Sequence, residues 1–229
     1  MKILKFVSVA LIVLAVPLFL ISSNVRWVVG TSLLYSYGFA KHNSSERTGI
    51  ERSELMSAGQ QIRDYFNNNN EYLEVEVVVQ GVHVKNLYNT REVLHMKDVK
   101  GLVRAVYRVQ LISGVYLAVW AMIGLILLRR KFLDRLGRFL GWGGMLTGGI
   151  VGVVGVSALI GFEQLFHVFH LASFSNDYWL LDPRRDYLIA MFPTGFFLDG
   201  TIWIAGSTIL EAVLLVALWW RFRRVLQEA

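Results

Sequence analysis

Two groups of residues in this chain have the types and spacing for proton-transfer chemistry. The first is His95-Met96-Lys97-Asp98-Val99-Lys100. His95 and Asp98 are three residues apart, so on a helix they share a face. A carboxylate there would hold one ring nitrogen as N–H and fix the tautomer of an imidazole that titrates near neutrality. The plainer alternative is a solvated histidine at a helix start. The second group is Glu163, His167 and His170, spaced by four and three. These three would also lie on one helix face and form a possible metal-ligand set. Against a metal stand the five histidines of the whole chain, too few for a histidine-rich di-iron site, and the lack of an H-E-x-x-H motif. The polar end of a membrane helix explains the same residues, and the expectation is no metal and no cofactor.

Residues 163–199 add nine aromatic side chains: Phe166, Phe169, Phe174, Tyr178, Trp179, Tyr187, Phe192, Phe196 and Phe197. Aromatic belts are ordinary at a membrane boundary. Here, however, the rings alternate with Asn176, Asp177, Asp182, Asp186 and Asp199. A belt has no need of carboxylates, whereas a site for an amphipathic molecule uses both. Asp98, Asn176, Asp177, Trp179, Asp182, Phe169 and Phe174 are the candidates for orienting the histidines or holding such a ligand.

These groups need elements to hold them, and the composition says which. Of 229 residues 55% are hydrophobic, and the mean hydropathy is +0.47. That is too apolar for an ordinary soluble domain. A bilayer span takes about 20 apolar residues, and four stretches qualify: 6–21, 111–128, 139–162 and 202–220. The connector 129–138 carries Arg129, Arg130, Lys131, Arg135 and Arg138 against Asp134. Lys2 and Lys5 precede the first span, and Arg221, Arg223 and Arg224 follow the last. By the positive-inside rule all three basic clusters face the cytoplasm. The expected order is therefore a transmembrane helix at 1–22, an extracellular cap at 23–105 and a second helix at 106–128. A cytoplasmic loop at 129–138 and a third helix at 139–162 follow. Then come an extracellular aromatic-rich segment at 163–199, a fourth helix at 200–220 and a cytoplasmic tail at 221–229.

The first span resembles a signal peptide in position, but its apolar run is long and Ile21-Ser22-Ser23-Asn24 lacks an A-x-A pattern. It is expected to remain as a span. The net charge of +6 is explained by topology determinants beside anionic lipid and needs no nucleic acid. The absence of cysteine excludes disulfides, thiol nucleophiles and Cys-ligated metals.

Within the cap, Leu55, Ala58, Ile62 and Tyr65 recur at helical spacing, with Ser53 as candidate N-cap and 67–70 as the stop. Leu73, Val75, Val77 and Val79 alternate as in a strand that ends at Gly81, and 82–87 is a candidate partner. Helix returns from about Thr90 and runs into the second span. The fold class is thus membrane α-helical, with four transmembrane helices and a small extracellular α/β cap. Gly144, Gly148 and Gly152 form a small-xxx-small ladder expected to pack helices closely. Glu211, alone in the fourth span, is expected to face the bundle and to be protonated or bonded to Ser or Thr; its role is open.

At these residues the chain resembles the lipoprotein intramolecular transacylase family of bacterial integral membrane proteins. The likeness rests on His95-Met96-x-Asp98-Val99 before the second span, and on Phe169-His170 with Asn176 six residues on. Trp179, Leu181-Asp182-Pro183, Phe192-Pro193 and Phe196-Phe197 continue it. The resemblance implies transfer of the sn-2 acyl chain of a diacylglyceryl-cysteine lipoprotein to the α-amine of that cysteine, leaving a lyso-form lipoprotein. It implies catalytic histidines at His95 and His170, with His167 the alternative one turn earlier. The implied surroundings are a multi-pass protein of the bacterial plasma membrane, with both termini cytoplasmic and the site at the outer cap–membrane boundary. The implied partners are diacylated lipoproteins and membrane lipids. Two other readings of the residues stay open: a lipid acyltransferase or esterase using an external donor or water, and a membrane protein that only binds lipid or lipoprotein.

Overall fold

The structure, a computed structural model, describes residues 2–228. Residues 1 and 229, the ends of the expected first span and tail, lie outside it, as do the side chains of 2–6, 130, 131, 222 and 224–228. The elements in order are α1 (Lys2–Gly30), α2 (Ser32–Lys41), α3 (Ser44–Thr48), α4 (Arg52–Asn67), β1 (Val77–Val79) and β2 (Val82–Val84). They continue with α5 (Thr90–Leu128), α6 (Arg130–Ser173), α7 (Tyr187–Met191) and α8 (Thr194–Glu228).

Among the described residues four helices are long and apolar enough to cross a membrane: Val7–Gly30, Thr90–Leu128, Phe132–Ser173 and Thr194–Arg221. The apolar stretches of the sequence lie inside them. The 39 residues of α5 would measure roughly 58 Å, about twice the hydrocarbon thickness. The first turns of α5, which hold Arg91, Lys97, Lys100 and Arg104, are therefore read as outside the lipid. The same holds for the last turns of α6, whose helical path is interrupted at Gly161.

The chain divides into two compact units. One comprises residues 2–26, 106–156 and 203–228. Its outward faces carry Leu11, Leu14, Ile112, Ile126, Val153 and Leu210, all exposed, as a lipid-facing helix surface should be. Inside it the glycines of α6 let side chains close in. A Cβ at Gly143 would stand 2.5 Å from Val16, and one at Gly141 would overlap Trp219. At Gly144 the carbonyl of Ala212 would be 2.9 Å away. Gly148 and Gly152 meet nothing. The expected ladder thus packs only at Gly144, and the neighbouring Gly141 and Gly143, off that stripe, take the remaining close contacts. Glu211 also differs from expectation. Its partner is not a hydroxyl but the Asn24 side-chain amide, which donates to Glu211 Oε2 at 2.7 Å.

The second unit comprises residues 27–105 and 157–202. The expected helix is α4, which buries Leu55, Ala58, Ile62 and Tyr65 and stops at Asn67. It starts at Arg52 after Glu51, so Ser53 lies in the first turn and is not the cap. The expected alternation is also present: Leu73, Val75 and Val77 are buried while Glu74 and Glu76 are exposed. Only three residues of each run pair, however, antiparallel from Val77↔Val84 to Val79↔Val82. The turn uses positive φ at Gln80 and Gly81, the geometry that joins two-residue hairpins. Beyond those pairs the Leu87 N–H donates to the Val75 carbonyl at 3.0 Å, and side chains of α4 hold the exposed edge. Gln61 bonds both the N–H and the C=O of Glu76 at 2.9 Å, and Glu54 accepts from the Val78 N–H at 2.8 Å. The cap is therefore helical with one short hairpin, a narrower result than the α/β cap expected. Tyr35, Phe39, Phe192 and Phe196 form its aromatic core, with ring centroids 4.9–6.1 Å apart. Phe192 and Phe196 are buried there and do not belong to an interfacial belt.

Candidate active site

The helix that carries His95 is started by a reciprocal cap. The Asn89 side chain accepts from the N–H groups of Arg91 and Glu92 at 2.9 and 3.2 Å, and Glu92 Oε2 accepts from the Asn89 N–H at 2.8 Å. This is a capping box. Glu92 is 1% exposed, and its other oxygen accepts from the Leu188 N–H of α7 at 2.6 Å. Burial raises the Glu92 carboxyl above its usual range, opposed by those two N–H groups. The Asn89 amide also donates to Asp186 at 2.8 Å. The first turn of α5 is thereby fixed to the segment that follows α6.

One turn beyond Glu92, the His95 ring is 8% exposed and its Nδ1 is buried with no hydrogen-bond partner. Its centroid is 6.0 Å from that of His170, the planes inclined by 31°. Phe174 packs against both, at 5.2 and 5.6 Å. His170 is 9% exposed and is walled further by Phe166 at 4.4 Å, Trp179 at 5.0 Å and Phe169 at 5.5 Å.

His170 Nδ1 lies 2.7 Å from the Phe166 carbonyl. A carbonyl only accepts, so Nδ1 carries the proton and Nε2 of the neutral ring is a free acceptor. Burial among these rings disfavours the imidazolium. It takes His95 down to about 4, helped by His170 and opposed by Asp98. It lowers His170 too, against the Phe166 carbonyl. Both rings are neutral at pH 7.

The other candidate residues divide. Asp98 does not hold the His95 ring, as had been expected; its Oδ2 accepts from Asn176 Nδ2 at 2.9 Å. Asn176 Oδ1 in turn accepts from the Tyr178 N–H at 3.1 Å. Asp177 and Asp182 are not drawn to the histidines. The Asp177 carbonyl receives Arg91 and its side chain is exposed. Asp182 closes a turn, its carboxylate bonded to the Arg184 N–H at 3.0 Å and held below its usual range by Arg184. His167 is exposed, its ring 5.2 Å from the far-reaching Trp179. Among the described residues no three His, Asp or Glu side chains gather as a metal-ligand set. Sequence reading missed Glu92 and Asn89, and noted Asp186 only among the interleaved carboxylates. The Asn-x-x-Glu spacing of a capping box was the available signal for the first two.

The family model of the lipoprotein intramolecular transacylase Lit matches residues 10–197. The solved structure of the membrane-integral lipoprotein intramolecular transacylase Lit from Bacillus cereus superposes with a TM-score of 0.83, covering 100% of both chains at 20% identity. A form of that protein with one histidine replaced by alanine gives 0.70 at 19% identity, over 100% of this chain and 97% of its own. At such identities the likeness is one of fold. An uncharacterized protein of Aquifex aeolicus (strain VF5) is 27% identical over 132 residues, 58% of this chain. That match spans 56% of the relative's own length. With a family match over most of its length, the chain belongs to the lipoprotein intramolecular transacylase (Lit) family.

Proposed function

We propose that this protein transfers the sn-2 acyl chain of a diacylglyceryl-cysteine lipoprotein to the α-amine of the same cysteine, with His95 and His170 as the proton-transfer pair. The observation that carries the reading is a pair of buried neutral imidazoles 6.0 Å apart, one with an unpartnered Nδ1 and the other with Nε2 left free by its bond to Phe166. An unpartnered buried nitrogen is costly in a finished fold. A substrate that supplies the missing partner gives it a purpose.

The reaction fits two such rings. The amine attacks the ester carbonyl and gives up a proton to one imidazole. As the tetrahedral carbon collapses, the acyl C–O bond breaks and the leaving glyceryl oxygen takes that same proton, relayed through the second ring, so that both imidazoles end neutral. The nitrogen and the leaving oxygen are both bonded to one carbon, so two rings in mutual contact reach both. General acid–base help is worth on the order of 10²–10⁴. Amine and ester sit on one flexible molecule, and walls such as Phe166, Phe169, Phe174 and Trp179 would hold them bent together; orientation can supply roughly 7–11 kcal/mol. His170 is assigned over His167 because it is the buried one beside His95.

In this reading the cap and residues 163–199 lie outside the cell, both termini lie in the cytoplasm, and the substrate is the diacylated form. The basic connector and tail support that orientation. Cysteines at Asn69 and Arg184 should react with an impermeant reagent in intact cells, and one at Arg135 should not. The reverse pattern would overturn the orientation.

The activity is tested with purified protein and a lipoprotein whose sn-2 chain is isotope-labelled, in excess unlabelled phospholipid. The expected product has unchanged mass, a blocked amine and only labelled N-acyl chain. Unlabelled N-acyl chain would identify an external donor, and loss of the chain to water an esterase.

A further inference from the structure

The proposed reaction puts a negative charge on the former carbonyl oxygen, and two proton-transfer rings leave that charge unattended. In a pocket walled by aromatic rings it needs a fixed donor. The amide of Asn176 has the required properties. It belongs to a loop whose flanking residues, Phe174 and Trp179, both pack on His170 at 5.6 and 5.0 Å. It is bonded to Asp98, one helical turn from His95 on the same face. Its orientation is determined at both ends: Oδ1 accepts from the Tyr178 N–H, and Nδ2 donates to Asp98. Exchanging oxygen and nitrogen would break both bonds. A primary amide has two N–H donors. Asp98 takes one, and the other has no partner among the described residues.

We propose that this second N–H of Asn176 is the donor to the oxyanion of the tetrahedral intermediate, and that Asp98 is the positioning residue that aims it. The assignment rests on the transacylase reading above. It gives Asp98 a task other than orienting His95. In the first half of the reaction the carbonyl π pair moves to oxygen as the amine nitrogen bonds to carbon. In the second that pair re-forms C=O as the glyceryl oxygen leaves. The donor bonds the oxygen most strongly between these events and exchanges no proton. Removing such a donor costs about 10²–10³ in kcat.

The test compares wild type, Asn176→Ala, Asp98→Asn and Asp98→Ala on diacylated lipoprotein. It also measures binding of an analogue in which a tetrahedral anionic phosphonate replaces the sn-2 ester. For Asn176→Ala, kcat should fall by about 10²-fold or more with KM little changed, and phosphonate affinity should fall by the same factor. Asp98→Asn keeps an acceptor oxygen for Asn176 and should stay within a few-fold of wild type. Asp98→Ala should lose both rate and phosphonate affinity. A purely structural role would change KM and folding yield and leave phosphonate affinity tracking substrate affinity. Near-normal turnover in Asn176→Ala overturns the proposal. If that variant does not fold, undiminished phosphonate affinity in Asp98→Ala overturns it instead. Wild type that yields no N-acyl product refutes the transacylase reading. Wild type that does, alongside an equally active Asn176→Ala, refutes only the donor.

Discussion

Two histidine sites in the same compact unit have opposite designs. At the end of α2, His42 Nε2 is 2.8 Å from Asp199 Oδ2, and Lys41 Nζ holds Asp199 Oδ1 at 2.6 Å. Asp199 is 5% exposed, and the absent side chain of Gly195 makes room for the His42 ring, which a Cβ there would meet at 2.5 Å. Both oxygens of the buried Asp199 carboxylate thus have a partner. At the other site His95 is buried where His42 is half-buried, yet its Nδ1 has no partner, and His170 uses one nitrogen on a carbonyl. A histidine whose ring is bonded to a buried carboxylate is tied into the fold. One buried with a nitrogen left over costs stability, and in the proposed reaction the substrate would complete that bond.

The sharpest way to break this contrast is to remove the rings. His95→Asn and His170→Asn should each reduce turnover by at least about 10²–10⁴ while the protein still purifies folded in detergent. His42→Asn should keep wild-type turnover per folded molecule, and His167→Asn should stay close to it. A dead His42→Asn beside an active His95→Asn would reverse the roles assigned to the two sites.

The pH dependence comes next in size. Burial keeps His95 neutral down to about 4, and His170 is shifted the same way. His95 is then available as a base throughout the working range, and the acid limb should belong to the substrate. A free α-amine has a pKa near 7.7–8.0, so its reactive fraction falls about tenfold per pH unit below that. One slope without a break near 6.5 is expected in log kcat/KM. A second break near 6.5 would mean that an imidazole titrates as if solvated, and the burial argument would fail. The same depression acts on folding. The lowered His95 contribution to stability is full above about 6.5 and is lost as pH falls toward 4.

How much of this contrast could be read in the sequence differs by residue. The four spans, the α4 stripe and the alternation from Leu73 to Val77 were legible because burial periodicity is written locally. His95 and His170 were singled out by type, position and resemblance. Their state was not legible, because whether a nitrogen is spare depends on partners far along the chain. Asp98 shows this most clearly. Its i+3 spacing pointed to His95, yet it bonds Asn176, 78 residues away. Asp182 read as a binding carboxylate and is a turn former, because Arg184 and Asp186 sit close enough in sequence to engage it. The short ladder of the hairpin was hidden for a similar reason: Gln61 and Glu54 of α4 satisfy a backbone that the pattern alone assigned to a strand.

Glu92 sharpens the comparison from the side of the scaffold. Its two oxygens satisfy N–H groups of Asn89 and Leu188, so it is fully engaged. Glu92→Gln keeps one acceptor and turns an NH₂ toward the other N–H. The expected cost is about 1–3 kcal/mol, read as a fall in thermal midpoint. Turnover should drop modestly, since His95 one turn later loses its fixed start. Unchanged stability would mean that the link between α5 and α7 is replaceable.

The smallest effect is expected at Glu211, a carboxylate that its place in a spanning helix would make a functional suspect. The contrast drawn from the histidines assigns it to the engaged class. Asn24 donates once to the Leu20 carbonyl at 3.0 Å and once to Glu211 Oε2 at 2.7 Å, so both of its amide protons are used. Gln at 211 has the same length and keeps a carbonyl oxygen for Asn24. Coupling of such polar pairs between membrane helices averages about 0.6 kcal/mol. Glu211→Gln should therefore shift stability by less than about 1 kcal/mol and leave turnover unchanged. Glu211→Leu deprives Asn24 of an acceptor and should destabilise more, again without a specific loss of rate. A Glu211→Gln protein of normal stability but greatly reduced turnover would show a carboxylate acting through its charge while bonded to Asn24. Pairing would then no longer separate the groups that do chemistry from those that hold the fold.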